Sequence, residues 1–236
     1  MYKGKNILGL IPARGSSKWL PRKNIKLLLG KPLNAWTIEQ ALASKYLDRV
    51  LISTDDKEIA EISKKYGAEI PFMRPKKLAT DEAKGIDVVL HAIDWLKKKS
   101  KRKQYDLLML LQPTSPLRTK EDIDKAIELL FLKEAKAIVS VCEVDQHPLW
   151  SNTLPEDGCM KDFIRKEIMN KNKQELPVFY RLNGAIYLAY CNYIKEQESF
   201  FGEKTFAHIM PRERSIDIDS EVDLNLAEVL IRIFKL

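Results

Sequence analysis

Short apolar runs, ended by prolines or capping residues, alternate with longer amphipathic stretches along most of the chain. The runs at 7–11, 49–53, 69–72, 105–111, 137–141, 182–190 and 206–210 have the length and continuous apolarity of buried strands. Between them lie stretches with helical spacing. Trp36, Ile38, Ala41 and Leu42 mark a helix over 33–44. Ile59 and Ile62 mark one that Thr54-Asp55-Asp56 caps and Gly67 closes. Ile86, Val89, Leu90, Ile93 and Leu96 mark one over 86–99. A capping box, Thr119-x-x-Asp122, opens a fourth that carries Ile123, Ala126, Ile127 and Leu130. Ser220-x-x-Asp223 opens the last, with Val222, Leu226, Val229, Leu230 and Ile233. Gly30 and Pro32 mark a turn ahead of the first helix. Strands that alternate with helices imply an α/β fold with a parallel sheet covered on both faces.

One stretch breaks this rhythm. Residues 143–178 are polar, contain Pro148, Pro155, Gly158 and Pro177, and show no strong period. A loop this long inside a compact domain is functional or meets a partner. The 236 residues suit one large α/β domain over 1–236, and 45% hydrophobic with 31% charged residues is the balance of a soluble globular protein. No apolar run is long enough to span a bilayer, and the first strand starts too early to leave room for a signal peptide, so a cytoplasmic location and no membrane partner are expected.

The net charge of +7 raises the question of nucleic acid, but it is local. KKKSKRK at 97–103 supplies six cations, and removing them leaves +1. The run follows a helical pattern, where cations complement the macrodipole, and it holds no aromatic residue to stack on bases. No nucleic-acid partner is expected. Cys142, Cys159 and Cys191, like His91, His147 and His208, are too scattered for a disulfide framework or a zinc site. The polar chemistry must rest on carboxylates, amides and cations.

Four constellations could carry it. In NILGLIPARGSSKWLPRKN (6–24) a buried strand ends in a loop with Gly15, Ser16 and Ser17 and the cations Arg14, Lys18, Arg22 and Lys23, a cradle suited to polyphosphate. It matches neither GxxxxGK[ST] nor GxGxxG. In LLMLLQPTSPLR (107–118) a strand ends in Gln112, Thr114, Ser115 and Arg118, where parallel sheets bind ligands. Arg181-Leu-Asn183-Gly184 offers a guanidinium fork just before a strand. In Ser215-Ile-Asp-Ile-Asp219, alternation puts Asp217 and Asp219 on one face and Ile216 and Ile218 in the core. Two adjacent carboxylates favour a hard cation such as Mg²⁺.

In this order the constellations resemble the acylneuraminate cytidylyltransferases, the CMP-sialic (CMP-nonulosonic) acid synthetases. The matching signatures are IPARGSSKWLPRKN, RP-x-x-LATD (74–81), LLQPTSPLR, RLNGAIY and SIDIDSEVDL, spread from residue 7 to the last helix. The resemblance implies a Rossmann-like nucleotidyltransferase fold, dimeric through an inserted arm at 143–180. It also implies transfer of CMP from CTP to the anomeric hydroxyl of a nine-carbon 2-keto sugar acid, with release of pyrophosphate and dependence on Mg²⁺. By resemblance, Arg14, Ser17 and Lys23 hold the triphosphate, Asn24 and Arg74 help place the nucleoside, and Gln112, Thr114, Ser115, Arg181 and Asn183 face the sugar acid. Asp217 and Asp219 carry the metal, and the catalytic set is Lys23, Arg14 and Asp217.

Two departures from the family pattern bear on specificity. The loop reads GSSKW where the family has GGSKG, so Trp19 either redirects the loop or covers the nucleotide. After His147-Pro148-Leu149 stands Trp150, where some sialic-acid enzymes carry a basic residue, which suits a less polar, diacylated acid of the legionaminic or pseudaminic type. The alternatives are a cytidylyltransferase for another sugar acid such as Kdo, or a non-catalytic nucleotide- or RNA-binding module that uses KKKSKRK.

Overall fold

A computed structural model describes residues 1–99 and 104–234. Six strands form one sheet: β1 (Ile7–Pro12), β4 (Arg49–Ser53), β5 (Leu107–Leu111), β6 (Ala137–Glu143), β7 (Tyr180–Tyr190) and β8 (Thr205–Ile209), in the spatial order β4-β1-β5-β7-β6-β8. Leu29 and Gly30, both at positive φ, turn the small ribbon β2 (Leu27–Leu28) and β3 (Lys31–Pro32). The helices are α1 (Leu33–Leu42), α2 (Lys57–Lys65), α3 (Gly85–Lys99), α4 (Lys120–Leu132), α5 (Cys191–Gln197) and α6 (Glu221–Phe234). Lys97–Lys99 form the last turn of α3, as the basic run suggests, while residues 100–103 lie outside the described residues.

The caps act where the sequence places them. Asp56 accepts the Ile59 amide (2.9 Å) at α2, and Thr119 with Asp122 forms the reciprocal box at α4. At α6, Asp223 accepts from the Ser220 amide and hydroxyl, both at 2.7 Å. With Ser220 as the cap, the Asp219 carboxylate stays available.

The sheet is mixed. β1 is parallel to β4 and β5, and β6 is parallel to β8, but β7 runs antiparallel to both its neighbours. The sheet is mainly parallel, as the alternation of strands and helices predicts, and β7 is the antiparallel exception because β6 and β7 are the two legs of one excursion. Val144 donates its amide to Phe179 (3.0 Å) at the base of that excursion. The expected strand at 69–72 is a single bridge between Leu51 and Glu69, since Pro71 has no N–H to continue a ladder.

The excursion itself carries three short 3-10 turns and leaves Leu154, Met160, Met169 and Val178 exposed. His147 fastens its root. Nε2 lies 3.0 Å from the Pro177 carbonyl and Nδ1 accepts the Leu149 amide, which together select the neutral tautomer with the proton on Nε2. Its ring also packs edge-on against Phe179, with centroids 4.8 Å apart.

Apolar residues cover both faces of the sheet. Ile7, Ile11, Ile52 and Met109 pack with α1, α2 and α4, while Leu8, Leu10, Leu51 and Leu108 pack with α3 and α5. A third cluster is the one that matters for chemistry. Leu20, Leu117, Ile216 and Ile218 come from three different loops and meet Leu224, Ala227 and Ile231 of α6. Burying apolar side chains from each loop fixes where its polar neighbours emerge. Among the described residues no helix is long and apolar enough to cross a membrane.

Candidate active site

The three loops follow β1, β5 and β8, and they meet at the carboxyl ends of β1 and β5, at the point where the chain, having crossed from β1 to β4, returns to the other side of β1. Such a reversal opens a crevice in a doubly wound sheet. Here it is a cleft of about 340 Å³ lined by Arg14, Ser17, Lys23, Asn24, Arg74, Gln112, Thr114, Asp217 and Asp219. A larger cavity, about 590 Å³, opens at the opposite end of the sheet around Lys5, Tyr105 and Tyr190, and it gathers none of these groups.

The opening loop is stapled down by the acidic turn after β4. Gly15 donates its amide to Asp55 (3.0 Å) and lies so close to Asp56 that a Cβ there would sit 2.9 Å from a carboxylate oxygen. Arg22, in the left-handed region at φ 57°, pairs with Asp56 and Glu58 and holds the Asp56 carboxyl below its usual range. The chain then enters the 3-10 turn Lys23–Ile25. Asn24 is buried. Its amide donates to the Arg14 carbonyl (2.8 Å), while its Oδ1 has no hydrogen-bond partner among the described residues. A buried acceptor left open at a cleft wall is a place for a ligand donor.

Arg74 forms the next wall. Its guanidinium donates to the Ser53 hydroxyl (3.1 Å), the Ser53 carbonyl and the Leu78 carbonyl (3.4 Å). Burial lowers its pKa to about 10, with nearby Asp55 favouring the charge. Arg74 is therefore a cation in a dry wall, where it interacts strongly with an anion.

Gln112 and Thr114 follow β5. Arg118, fully buried, donates to the Gln112 carbonyl (3.2 Å) and the Ala185 carbonyl (2.7 Å), clamping this loop to β7. Burial lowers the Arg118 pKa to about 9, opposed by nearby Asp122. Thr114 accepts the Ile218 amide (2.8 Å) on its carbonyl and donates its hydroxyl to Gln112 Oε1 (3.5 Å), beside the Asp217 carboxylate, whose charge it favours.

The carboxylate segment has no strand partner, yet alternation sorts its side chains as in a strand. Ile216 and Ile218 are buried, and Asp217 and Asp219 face the cleft. Lys23 donates from Nζ to Asp219 (2.8 Å), joining two ends of the sequence 196 residues apart. Asp217 is held above the usual carboxylate range, first by burial and also by the charge of Asp219, against the pull of Thr114, Lys23 and Arg181. Among the described residues no three His, Cys, Asp or Glu side chains converge. Two carboxylates beside a cationic loop suit Mg²⁺, which takes one or two protein oxygens and fills its shell with water and phosphate.

Three expected contacts do not line the cleft. Ser115 is buried, and its hydroxyl has no hydrogen-bond partner among the described residues. Arg181 donates to the Ser215 carbonyl (3.3 Å) and reaches Asp145 at 3.7 Å, influencing Asp217 only through its charge. Asn183, expected to touch the sugar acid, is committed internally. It accepts from Ser140 (2.6 Å) and donates to Ser215 (2.9 Å), filling the β6–β7 bulge where the register shifts. That bulge turns Gly184, at φ +73°, toward the site, where a Cβ would sit 2.8 Å from Gln112 Oε1 and 3.4 Å from Asp217. Gly184 is thus a site residue through its lack of a side chain. Thr80 and Asp81, which the sequence groups with Arg74 without a role, also line the cleft.

Comparison with known proteins decides the family. The cytidylyltransferase family profile matches residues 8–228, and a CMP-N,N'-diacetyllegionaminic acid synthase from Legionella pneumophila is 38% identical over 96% of this chain and 97% of its own. The chain belongs to the cytidylyltransferase family. A pseudaminic acid cytidylyltransferase from Campylobacter jejuni is 35% identical to this cytidylyltransferase, with 96% of each chain covered. An N-acylneuraminate cytidylyltransferase from Escherichia coli is 36% identical over 94% of this chain, which spans 51% of that longer protein. The fold matches that of a CMP:2-keto-3-deoxy-manno-octonic acid synthetase solved with CTP, with a TM-score of 0.70 at 16% identity over 97% of this chain and 99% of the other.

Proposed function

We propose that this cytidylyltransferase transfers CMP from CTP to the anomeric hydroxyl of a nine-carbon 2-keto sugar acid and releases pyrophosphate. The observation that carries the reading is the meeting of Lys23 and Asp219 at 2.8 Å, which sets the cationic loop against the carboxylate pair in one cleft. Relatives at 35–38% identity named for legionaminic, acylneuraminic and pseudaminic acids support the substrate class.

The chemistry is an in-line displacement. The hydroxyl oxygen bonds to the α-phosphorus as the bond to pyrophosphate breaks and the hydroxyl proton passes to solvent, so the protein mainly positions groups and offsets charge. Arg14, Ser17 and Lys23 would take the triphosphate, with Lys23 nearest the α-phosphate, and the open Asn24 acceptor and Arg74 would help place the nucleoside. Gln112 and Thr114 would orient the sugar acid from the floor. Asp217 and Asp219 would hold Mg²⁺, which when bound offsets charge on the phosphates. A diacylated acid is favoured, since Trp150 at the root of the excursion offers an apolar edge and the Legionella relative is named for such an acid. A cytoplasmic location suits an enzyme that consumes CTP, and cell fractionation tests it.

The exposed Leu154, Met160, Met169 and Val178 on residues 143–180 suit burial against a second copy, making a homodimer. Sedimentation equilibrium at micromolar concentration is expected to return twice 27.3 kDa, and a monomer mass would contradict the dimer. The test of the activity is pyrophosphate release with each of four NTPs against a panel of nonulosonic acids and Kdo.

A further inference from the structure

Arg14 and Lys18 both end on one carboxylate. Arg14 meets one oxygen of Asp81 at 2.9 Å and Lys18 meets the other at 3.1 Å, so the two oxygens are shared between two cations, as the terminal oxygens of a phosphate would be. A second Arg14 nitrogen donates to the Thr80 carbonyl (2.9 Å), drawing the guanidinium to the same bank. Arg14 belongs to the loop after β1, whereas Thr80 and Asp81 lie beyond the 3-10 turn Lys76–Leu78, so the two pairs run from one lip of the cleft to the other. The Lys18 and Arg14 contacts hold the Asp81 carboxyl below its usual range, Lys18 contributing most.

This carboxylate contrasts with the others around the loop. Asp55 and Asp56 bind the backbone and Arg22, and they fix the loop's path. Asp81 binds the loop through two side chains, and its own side chain is 36% exposed. Exposed ion pairs contribute little and are readily exchanged for a stronger anion. A polyphosphate, with several charges and more oxygens, would compete for both cations at once.

We propose that Asp81 stands in for phosphate in the ligand-free cleft: it holds Arg14 and Lys18 across the mouth and yields them to the triphosphate of CTP. The inference rests on the CTP reading above. It makes Asp81 a positioning residue that opposes nucleotide binding, and it brings Lys18 into the triphosphate site. Lys18 is followed by Trp19, which is 83% exposed, so the loop's release carries that indole with it.

Titration calorimetry of the wild-type protein, Asp81→Asn and Asp81→Glu with CTP, CMP and inorganic tripolyphosphate tests this. Asp81→Asn is expected to bind CTP and tripolyphosphate roughly three- to tenfold more tightly, the scale of two exposed ion pairs. CMP affinity is expected to be unchanged, and Asp81→Glu to stay near the wild type. Unchanged or weaker triphosphate binding by Asp81→Asn, or an equal gain for CMP, would overturn the proposal while leaving the CTP reading intact. A wild-type protein that binds no CTP overturns the underlying reading, and this inference with it. As a second readout, CTP is expected to shift tryptophan emission in the wild type but not in Trp19→Phe, and an identical shift in both contradicts release of the loop.

Discussion

Lys23→Ala is expected to lower kcat by about 10²–10³-fold, the scale for removing one positioned electrostatic donor, while KM for CTP moves far less. The difference follows from where the ammonium stands. The Lys23 side chain is 16% exposed and 2.8 Å from Asp219, facing the same cleft as Arg14 and Arg74. Those two arginines remain to bind the nucleotide. Of these three cations Lys23 alone touches the carboxylate pair, which in the proposed reaction would place it where charge accumulates as pyrophosphate leaves. Steady-state pyrophosphate release against CTP separates the two parameters, and an unchanged kcat would remove Lys23 from the chemistry.

Asp217→Asn is expected to do two opposite things. Turnover should fall by about 10²-fold or more, and the Mg²⁺ concentration for half-maximal rate should rise, because one of the two carboxylates proposed to hold the metal would lose its charge. Thermal stability of the ligand-free protein should increase. Burial and Asp219 raise the Asp217 pKa in the folded protein above its unfolded value, so the folded state binds this proton more tightly. Stability from this group is therefore gained as pH falls through the folded pKa, and above it the ionised carboxylate opposes folding. At neutral pH the amide removes that opposition, and a higher Tm than the wild type is expected. Full activity at ordinary Mg²⁺ would count against the metal assignment. A lower Tm would show that Asp217 is stabilising, contrary to its burial.

Most of the scaffold was legible because apolar period and caps carry it. The Thr119/Asp122 box, Asp56 and Ser220/Asp223 open α4, α2 and α6 as read from the sequence. The direction of β7 was not legible, since an apolar run reads the same whichever way its neighbours point. α5, with seven residues, is too short to show a period, and Pro71 breaks the ladder that the run at 69–72 suggests.

The site was legible as motifs but not as side-chain directions. Asp217 and Asp219 reach the cleft without a strand to enforce alternation, because Ile216 and Ile218 are buried on either side of Asp217. Asn183 reads as a ligand contact, yet a β-bulge takes its amide to replace ladder bonds, and Gly184 beside it is what shapes the cleft. Asp81 meets Arg14 across 67 residues of chain, a contact that no local pattern encodes. The basic run that raised the RNA alternative ends a helix at Lys99 within the described residues, and the cleft pairs its cations with carboxylates, an arrangement with no use in a module that binds a polyanion by charge alone.

The central claim is a CTP-dependent transfer to a nonulosonic acid. The most direct measurement is pyrophosphate release with CTP, UTP, ATP and GTP, each offered N-acetylneuraminic, legionaminic and pseudaminic acids and Kdo in the presence of Mg²⁺. Turnover is expected with CTP and at least one nine-carbon acid, highest with a diacylated one, and little with Kdo or the other nucleotides. Absence of CTP-dependent turnover with every nine-carbon acid would contradict it.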